Sequence, residues 1–337
     1  MTTAIPIAPE PVTNEAAAPT PSNAEALMQI LAGHLAAKYL MAANRLGVFE
    51  RLADAQLTLP SLAHQTGLPV RTLRILVRPL LNIRLLECEN GLYRNGPAAN
   101  ACLAGLPGAD LRAVVAMWDG VMERQWTRFL DALRTDNAAC GWNELTSEEC
   151  DLFDRGIAAL TGATASALVD AYDFSRHASV LDLGGGTGAF LAAIIKKHPR
   201  LRATLFERPQ TTAKMSTPGM TFIAGDLRSD RMPENHEAVL LANVLHLFKP
   251  WDNVDLLRRI RQASKTGTRL LLVDFWMERD DRTPEFGALL AGEFLIVSGG
   301  DAYGFDDATG WLERTGWRFV GRQRLTRSSS LIVAEAT

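Results

Sequence analysis

The sequence predicts an α/β protein in two parts, a C-terminal doubly wound, Rossmann-like sheet preceded by a mostly helical winged-helix domain. Three observations carry this reading. Val180-Leu-Asp-Leu-Gly-Gly-Gly-Thr-Gly-Ala-Phe190 runs an apolar strand into a glycine turn, and helical spacing begins at Leu191. From Ala178 onward, strand-like runs alternate with amphipathic ones, the pattern of a mostly parallel sheet covered on both faces. Between Ser61 and Arg94, two short helical patterns precede a hairpin with Asn90-Gly91 at its turn.

The elements follow in chain order. Residues 1–22 are rich in Pro, Ala and Thr and carry no basic residue, so a disordered tail is expected rather than a signal peptide. Residues 23–105 form the winged-helix part. Leu27, Ile30, Leu31, Leu35, Tyr39 and Leu40 give Ala24 to Leu46 the spacing of a long amphipathic helix, which Gly47 should stop. Ser61 is the expected cap of a short helix ending at Gly67, and Pro69 opens a second helix, Val70 to Leu81. Residues 106–175 read as a helical connector, with helices over Asp110 to Leu133 and Ser147 to Tyr172. Their Trp118, Met122 and Phe153 are candidate lining for a pocket holding an apolar small molecule.

Residues 176–337 read as the nucleotide-binding domain. Strands are expected at Val180 to Leu183, Ala203 to Phe206, Thr221 to Ala224, Ala238 to Ala242 and Arg269 to Asp274. An antiparallel pair, Arg318 to Leu325 and Ser329 to Ala334, should close the sheet because no helix separates its members.

Composition narrows the function classes. The 337 residues are 47% hydrophobic and 22% charged with a net charge of −3, which fits a globular protein and argues against a dedicated polyanion binder. No apolar run is read as reaching the roughly 20 residues of a membrane span. Cys88, Cys102, Cys140 and Cys150 show no metal-ligand spacing, so reduced cytoplasmic thiols and no metal site are expected. Arg71, Arg74, Arg78 and Arg84 could give the winged helix a DNA-binding face, but Leu73, Leu76, Val77 and Leu80 make its second helix more apolar than a groove reader needs. Dimerisation is the preferred role, without nucleic acid or membrane as partner.

Gly184, Gly186 and Ala189 satisfy the loose dinucleotide pattern, with Glu207 about 20 residues on, so an NAD enzyme is one reading. Asp182 before the glycines, Asp226 after the third strand and the antiparallel closing pair favour S-adenosyl-L-methionine instead. Val180 to Gly188, Phe206-Glu-Arg-Pro209, Gly225-Asp-Leu227 and Asn243-Val-Leu-His-Leu-Phe248 resemble the successive motifs of the plant-caffeate and hydroxyindole type of S-adenosylmethionine-dependent O-methyltransferases. The front domain is similar to that family's dimerisation domain.

The resemblance implies a homodimer that methylates a hydroxyl on an aromatic or polyketide-like small molecule. Gly184, Gly185, Gly186 and Gly188 would carry the methionine part of the cofactor and Glu207 its ribose hydroxyls. Asp226 would take the adenine amino group with Leu227 beside the ring, and Asp182, Arg208 and Asn243 complete the cofactor set. His246 stands at the family's general-base position, where an imidazole of pKa about 6.5 suits a phenol of about 10. Asp274 stands in place of the first Glu that supports this base, one methylene shorter. The second supporting Glu is replaced by Ala302, and the family's His-Asp-Trp reads His246-Leu247-Phe248. Glu293, on a helix that faces substrate in the family, could anchor a polar substrate group, act as a second acid–base residue or be a partly solvated acid. The loss at Ala302 leaves C- or N-methylation, or a reaction without methyl transfer, as an alternative. A winged-helix DNA-binding regulator is the alternative outside enzymes.

Overall fold

The computed structural model describes residues 24–141, 144–213 and 217–337, so the expected tail lies outside the described residues. The chain divides into two compact units after Asp110.

The first unit contains α1 (Ala24–Arg45), α2 (Val48–Arg51), β1 (Leu57–Thr58), α3 (Leu59–Thr66), α4 (Val70–Asn82), β2 (Leu86–Glu89), β3 (Leu92–Asn95) and α5 (Pro97–Cys102). Its small antiparallel sheet has the order β1-β3-β2. Asn90 and Gly91, both at positive φ (51° and 79°), make the tight turn between β2 and β3. The cap of α3 is Thr58 rather than Ser61: Thr58 Oγ1 accepts from the Ser61 N–H at 3.3 Å, so the helix begins two residues earlier. α4 buries Leu73, Leu76, Val77 and Leu80 and leaves Arg71, Arg74 and Arg78 exposed.

One expectation fails in α1. Its 22 residues average a hydropathy of 1.2 over the best window, long and apolar enough to cross a membrane by length and composition. Gln29, His34 and Lys38 interrupt the run and hide it from inspection. Leu27, Met28, Ile30, Leu31 and Leu35 are each 59–64% exposed, so this apolar face is uncovered among the described residues.

The second unit opens with α6 (Arg112–Met117), a π turn (Trp118–Met122), α7 (Glu123–Trp126), α8 (Phe129–Thr135) and α9 (Ser147–Ala171). The expected continuous helix to Leu133 is therefore broken. The π turn admits an extra residue where α9 packs closely: a Cβ on Gly120 would lie 2.7 Å from Leu152. There follow β4 (Ser179–Leu183), α10 (Ala189–Lys197), β5 (Arg202–Glu207), α11 (Pro209–Thr212), β6 (Met220–Ala224) and β7 (Ala238–Ala242). Next come α12 (Pro250–Ala263), β8 (Arg269–Asp274), α13 (Glu285–Ser298), α14 (Phe305–Arg314), β9 (Trp317–Arg324) and β10 (Ser330–Ala336). The seven strands order as β6-β5-β4-β7-β8-β10-β9, parallel through β8, with β10 antiparallel to both neighbours.

Alternate residues of each strand feed two cores. Leu181, Val239, Leu241, Leu270 and Leu272 pack with Leu256, Leu257 and Ile260 of α12 and Trp311 of α14. Val180, Leu240, Leu271 and Val273 pack with Leu168 of α9 and Phe190, Leu191 and Ile194 of α10. The order in which successive strands are added reverses between the parallel β4 and β7, so the crevice beyond their carboxyl ends is the natural ligand position of such a sheet.

One member of β4 is not apolar. Asp182 is completely buried, and neither carboxyl oxygen has a partner among the described residues. Burial, and secondarily the charge of Glu207, pushes its pKa up to about 8. Folding thus retains a proton that an unfolded aspartate, with a pKa near ~3.9, releases, and this group's contribution to stability falls as pH climbs between those values. Asp182→Asn keeps the shape and removes the titration. Calorimetric melting should show its Tm gain over the wild type to be larger near pH ~8 than near pH ~5; equal gains at both would contradict a buried neutral acid.

Candidate active site

The glycine turn sits directly after β4. Gly184, Gly186 and Gly188 have φ of 71°, 55° and 75°, a succession that side chains with a Cβ adopt only with strain. Gly185 is required for a different reason, since its Cβ would fall 2.3 Å from an Asp182 carboxyl oxygen and 2.5 Å from Leu205. Asp182 therefore packs against the turn backbone. A Cβ on Gly186 would meet nothing within 4 Å, so the turn backbone is open on that side, and Gly188 leads into α10. An open backbone at a helix N-terminus can take an anionic or strongly polar ligand group.

Glu207 ends β5 across from this turn. Its Oε2 accepts from the Gly186 N–H at 3.1 Å and its Oε1 from the Arg208 N–H at 2.8 Å, with the Arg208 guanidinium 3.5 Å away. Beyond β6, the Gly225 N–H donates to the Glu207 carbonyl at 3.0 Å, which joins the two strand ends. Asp226 is exposed there and accepts from the Arg228 N–H at 2.8 Å, while a Leu227 methyl lies 2.9 Å from where a Gly184 Cβ would be. Asn243 leaves β7 at φ 57°, with its side-chain oxygen buried and without a partner among the described residues. The structure thus brings Asp182, Gly184–Gly188, Glu207, Arg208, Asp226, Leu227 and Asn243 to one edge of the sheet. An open glycine cradle beside a strand-end carboxylate fits a nucleoside with a polar tail.

His246 and Asp274 meet on the same edge. His246 lies on a single 3₁₀ turn, Leu245–Leu247, and Asp274 is the last residue of β8. His246 Nδ1 is 2.7 Å from Asp274 Oδ1, and both side chains are buried. Asp274 also accepts from the Phe275 N–H at 2.9 Å and the His246 N–H at 3.3 Å. A carboxylate with three donors is acceptor-only, so Nδ1 carries the ring proton and Nε2 keeps its lone pair. Nε2 has no partner among the described residues.

The altered segment around Ala302 still supports this loop, but through its backbone. Asp301 N–H donates to the His246 carbonyl at 3.1 Å, and a Cβ on Gly300 would fall 1.8 Å from that carbonyl oxygen. Asn253, fully buried on α12, donates to the Leu245 carbonyl at 2.9 Å, and the Tyr303 hydroxyl donates to that of Phe248. Ala302 itself offers no polar side chain.

An aromatic series leads away from the histidine. The Phe294 ring stacks on His246 at 3.8 Å and 16°. Phe275 lies 6.0 Å from Phe294, Phe286 lies 6.1 Å from Phe275, and Trp118 lies 6.3 Å from Phe286. Trp118 thus joins the series and also packs, as Phe153 does, against the buried cluster of Met117, Val121 and Met122. Glu293 is buried beside Phe294. Sequence reasoning did not single out Phe286, Asn253 or Gly300. Only Gly300 left a signal, in a Gly299-Gly300 pair that follows a helix.

Comparison with known proteins bears on this site. Residues 136–318 match the model of an O-methyltransferase domain, and residues 28–105 match that of an O-methyltransferase dimerisation domain. The mitomycin biosynthesis 6-O-methyltransferase of Streptomyces lavendulae is 30% identical over 318 residues, covering 87% of this chain and 89% of that protein. The 3-hydroxy-5-methyl-1-naphthoate 3-O-methyltransferase of Streptomyces sahachiroi is 28% identical over 295 residues, 82% of this chain and 84% of that one. In fold, the crystal structure of human N-acetylserotonin methyltransferase in complex with S-adenosylmethionine matches with a TM-score of 0.84 at 24% identity, covering 94% and 99% of the two chains. The order of domains, the glycine cradle and a family match across most of the length make the chain a member of the O-methyltransferase family, an enzyme that depends on S-adenosylmethionine.

Proposed function

We propose that this enzyme methylates a hydroxyl of an aromatic or polyketide-like small molecule, that His246 is the general base, and that the chain works as a homodimer. The observation that carries the proposal is the buried His246–Asp274 hydrogen bond of 2.7 Å at the sheet edge that also bears the glycine cradle. The aromatic series from Phe294 to Trp118 suits a flat ring, and the curated relatives named above act on such ring systems.

The cofactor, when bound, supplies a methyl group on a sulfonium that departs as a neutral thioether. The backbone of Gly184 to Gly188 would hold its amino-acid end, Glu207 its ribose, and Asp226 with Leu227 its adenine. Arg208 and Asn243 stand beside these groups, and Asp182 supports the turn from beneath. The chain's remaining task is alignment and proton removal. His246 Nε2 would take the proton of the acceptor hydroxyl as that oxygen turns nucleophilic toward the methyl group the cofactor would supply. Asp274 keeps Nδ1 protonated and offsets the positive charge that the ring gains. Phe294 fixes the plane of the imidazole.

His246→Ala is expected to lower kcat by about 10²–10⁴ while the KM for S-adenosylmethionine stays within about threefold. Asp274→Asn should fall between the wild type and that variant, since an amide can stabilise the wrong tautomer. Initial rates of S-adenosylhomocysteine formation measure both, and a His246→Ala enzyme with near wild-type rate would remove the base assignment.

The dimer reading rests on α1. Burying each of its exposed Leu, Ile and Met side chains is worth about 1.5–3 kcal/mol, and residues 28–105 match the family's dimerisation domain. Sedimentation equilibrium at micromolar concentration should give twice the 36.8 kDa chain mass. The pair Leu31→Asp and Leu35→Asp should shift it to the single chain. A wild type that sediments as one chain would refute this.

A further inference from the structure

The proposed reaction leaves one acid of the sheet unit unused. Glu293 on α13 is 8% exposed, and neither carboxyl oxygen has a hydrogen-bond partner among the described residues. An unmet buried polar group costs about 1–3 kcal/mol, more if charged, so folding alone gives no reason to keep one. Burial pushes its pKa up to about 7, opposed in part by the Trp126 indole N–H, which stands nearby but outside hydrogen-bonding geometry.

It lies on the helix that carries the ring stacked on the histidine. Phe294, the next residue, is the ring stacked on His246. Gly292, the preceding one, lets Trp126 and Phe129 lie against the helix, since an added Cβ would sit 2.7 Å and 3.1 Å from their rings. A second unmet group stands on α7, which packs on α13: Gln125 is 4% exposed, and its Oε1 has no partner among the described residues. Two packed helices thus bury two polar side chains with spare hydrogen-bonding capacity among aromatic rings.

We propose that Glu293 and Gln125 form the polar end of the acceptor pocket. They select acceptors that carry, besides the methylated hydroxyl, a second neutral group able to donate and accept hydrogen bonds, such as a ring hydroxyl or a carboxamide. This rests on the reading of the pocket beside His246. In its protonated form the carboxyl offers one O–H and one carbonyl oxygen, the amide adds an acceptor, and burial favours that form over the charged one. The pair is a specificity element and takes no part in moving the hydroxyl proton.

The test is calorimetric titration of the full chain, with S-adenosylhomocysteine present, using naphthol, its dihydroxy isomers, hydroxynaphthamides and a cationic aminomethylnaphthol. The wild type should bind at least one dihydroxy or carboxamide compound about tenfold tighter than naphthol. Glu293→Leu should reduce that preference to within about twofold and raise Tm, because it removes an unmet acid. Glu293→Gln, still neutral and able to donate and accept, should keep most of the preference.

The proposal is overturned if the wild type shows no preference or Glu293→Leu leaves it unchanged. A lower Tm for Glu293→Leu would also overturn it, by showing that the acid and amide serve only each other. So would tightest binding of the aminomethyl compound with loss in Glu293→Gln, the mark of a charged carboxylate. These affinities do not depend on a base, so an active His246→Ala enzyme and a failed selectivity are separate results.

Discussion

The parallel pairing of β7 with β8 is the constraint on which the candidate site depends. Ala242 stands opposite Val273, so the next residue of β8, Asp274, ends its strand beside the loop that leaves β7. His246 needs only one short turn to reach it. A slip of one residue would send Asp274 to the other face and move each leucine into the opposite core. Such a slip is resisted from both sides, because Leu270 and Leu272 feed one core and Leu271 and Val273 the other. The energy that holds the acid in reach of the histidine is therefore spread over the sheet rather than concentrated in the pair.

The loop carrying His246 is rigid for a second reason. Its carbonyls at Leu245, His246 and Phe248 are met by Asn253, the Asp301 N–H and the Tyr303 hydroxyl. Leaving any of these buried acceptors unmet would cost about 1–3 kcal/mol, enough to populate other loop conformations. The replacement of a supporting Glu by Ala302 thus removes a side chain but not the anchoring of the loop, because Gly300 and Asp301 reach it through the main chain. An Asp at 274 suffices in place of the longer Glu because β8 ends close enough for the short carboxylate to meet both the His246 ring at Nδ1 and the His246 backbone N–H.

Local chemistry made much of this legible in the sequence. The glycine turn, Asn90-Gly91, Gly67 after α3 and the strands of the sheet unit follow from positive φ, alternation and apolar runs, and the structure has them within a residue or two. His246 and Asp274 became legible through the family resemblance rather than through local pattern, and the pairing of β7 with β8 is what brings them together. What escaped depends on packing between distant elements. The π turn at Trp118 arises where α9 crowds Gly120, which no helical period records. The choice of Thr58 over Ser61 as a cap turns on which hydroxyl finds an N–H three residues on. The aromatic series joins residues from four parts of the chain, and its members look like ordinary core residues until their rings are placed. The membrane-length apolarity of α1 was masked by isolated polar residues, although its exposed face is the strongest external signal of the first unit.

Asp182 and Glu293 share a physical condition and differ in what it implies. Both are carboxyls driven toward neutrality by burial, and both lack partners among the described residues. Asp182 is wedged against Gly185 with Glu207 nearby, so its shape holds the turn and its charge would repel a neighbour that the turn needs. An amide of the same shape could do that work, which marks a structural role. Glu293 lies on a helix near the Trp126 indole rather than under a turn, and sits one residue from the ring stacked on the histidine. Leucine would satisfy that position better if packing were its only duty. Stability forgone at one buried site, with no structural return visible around it, is the usual trace of selection for a ligand.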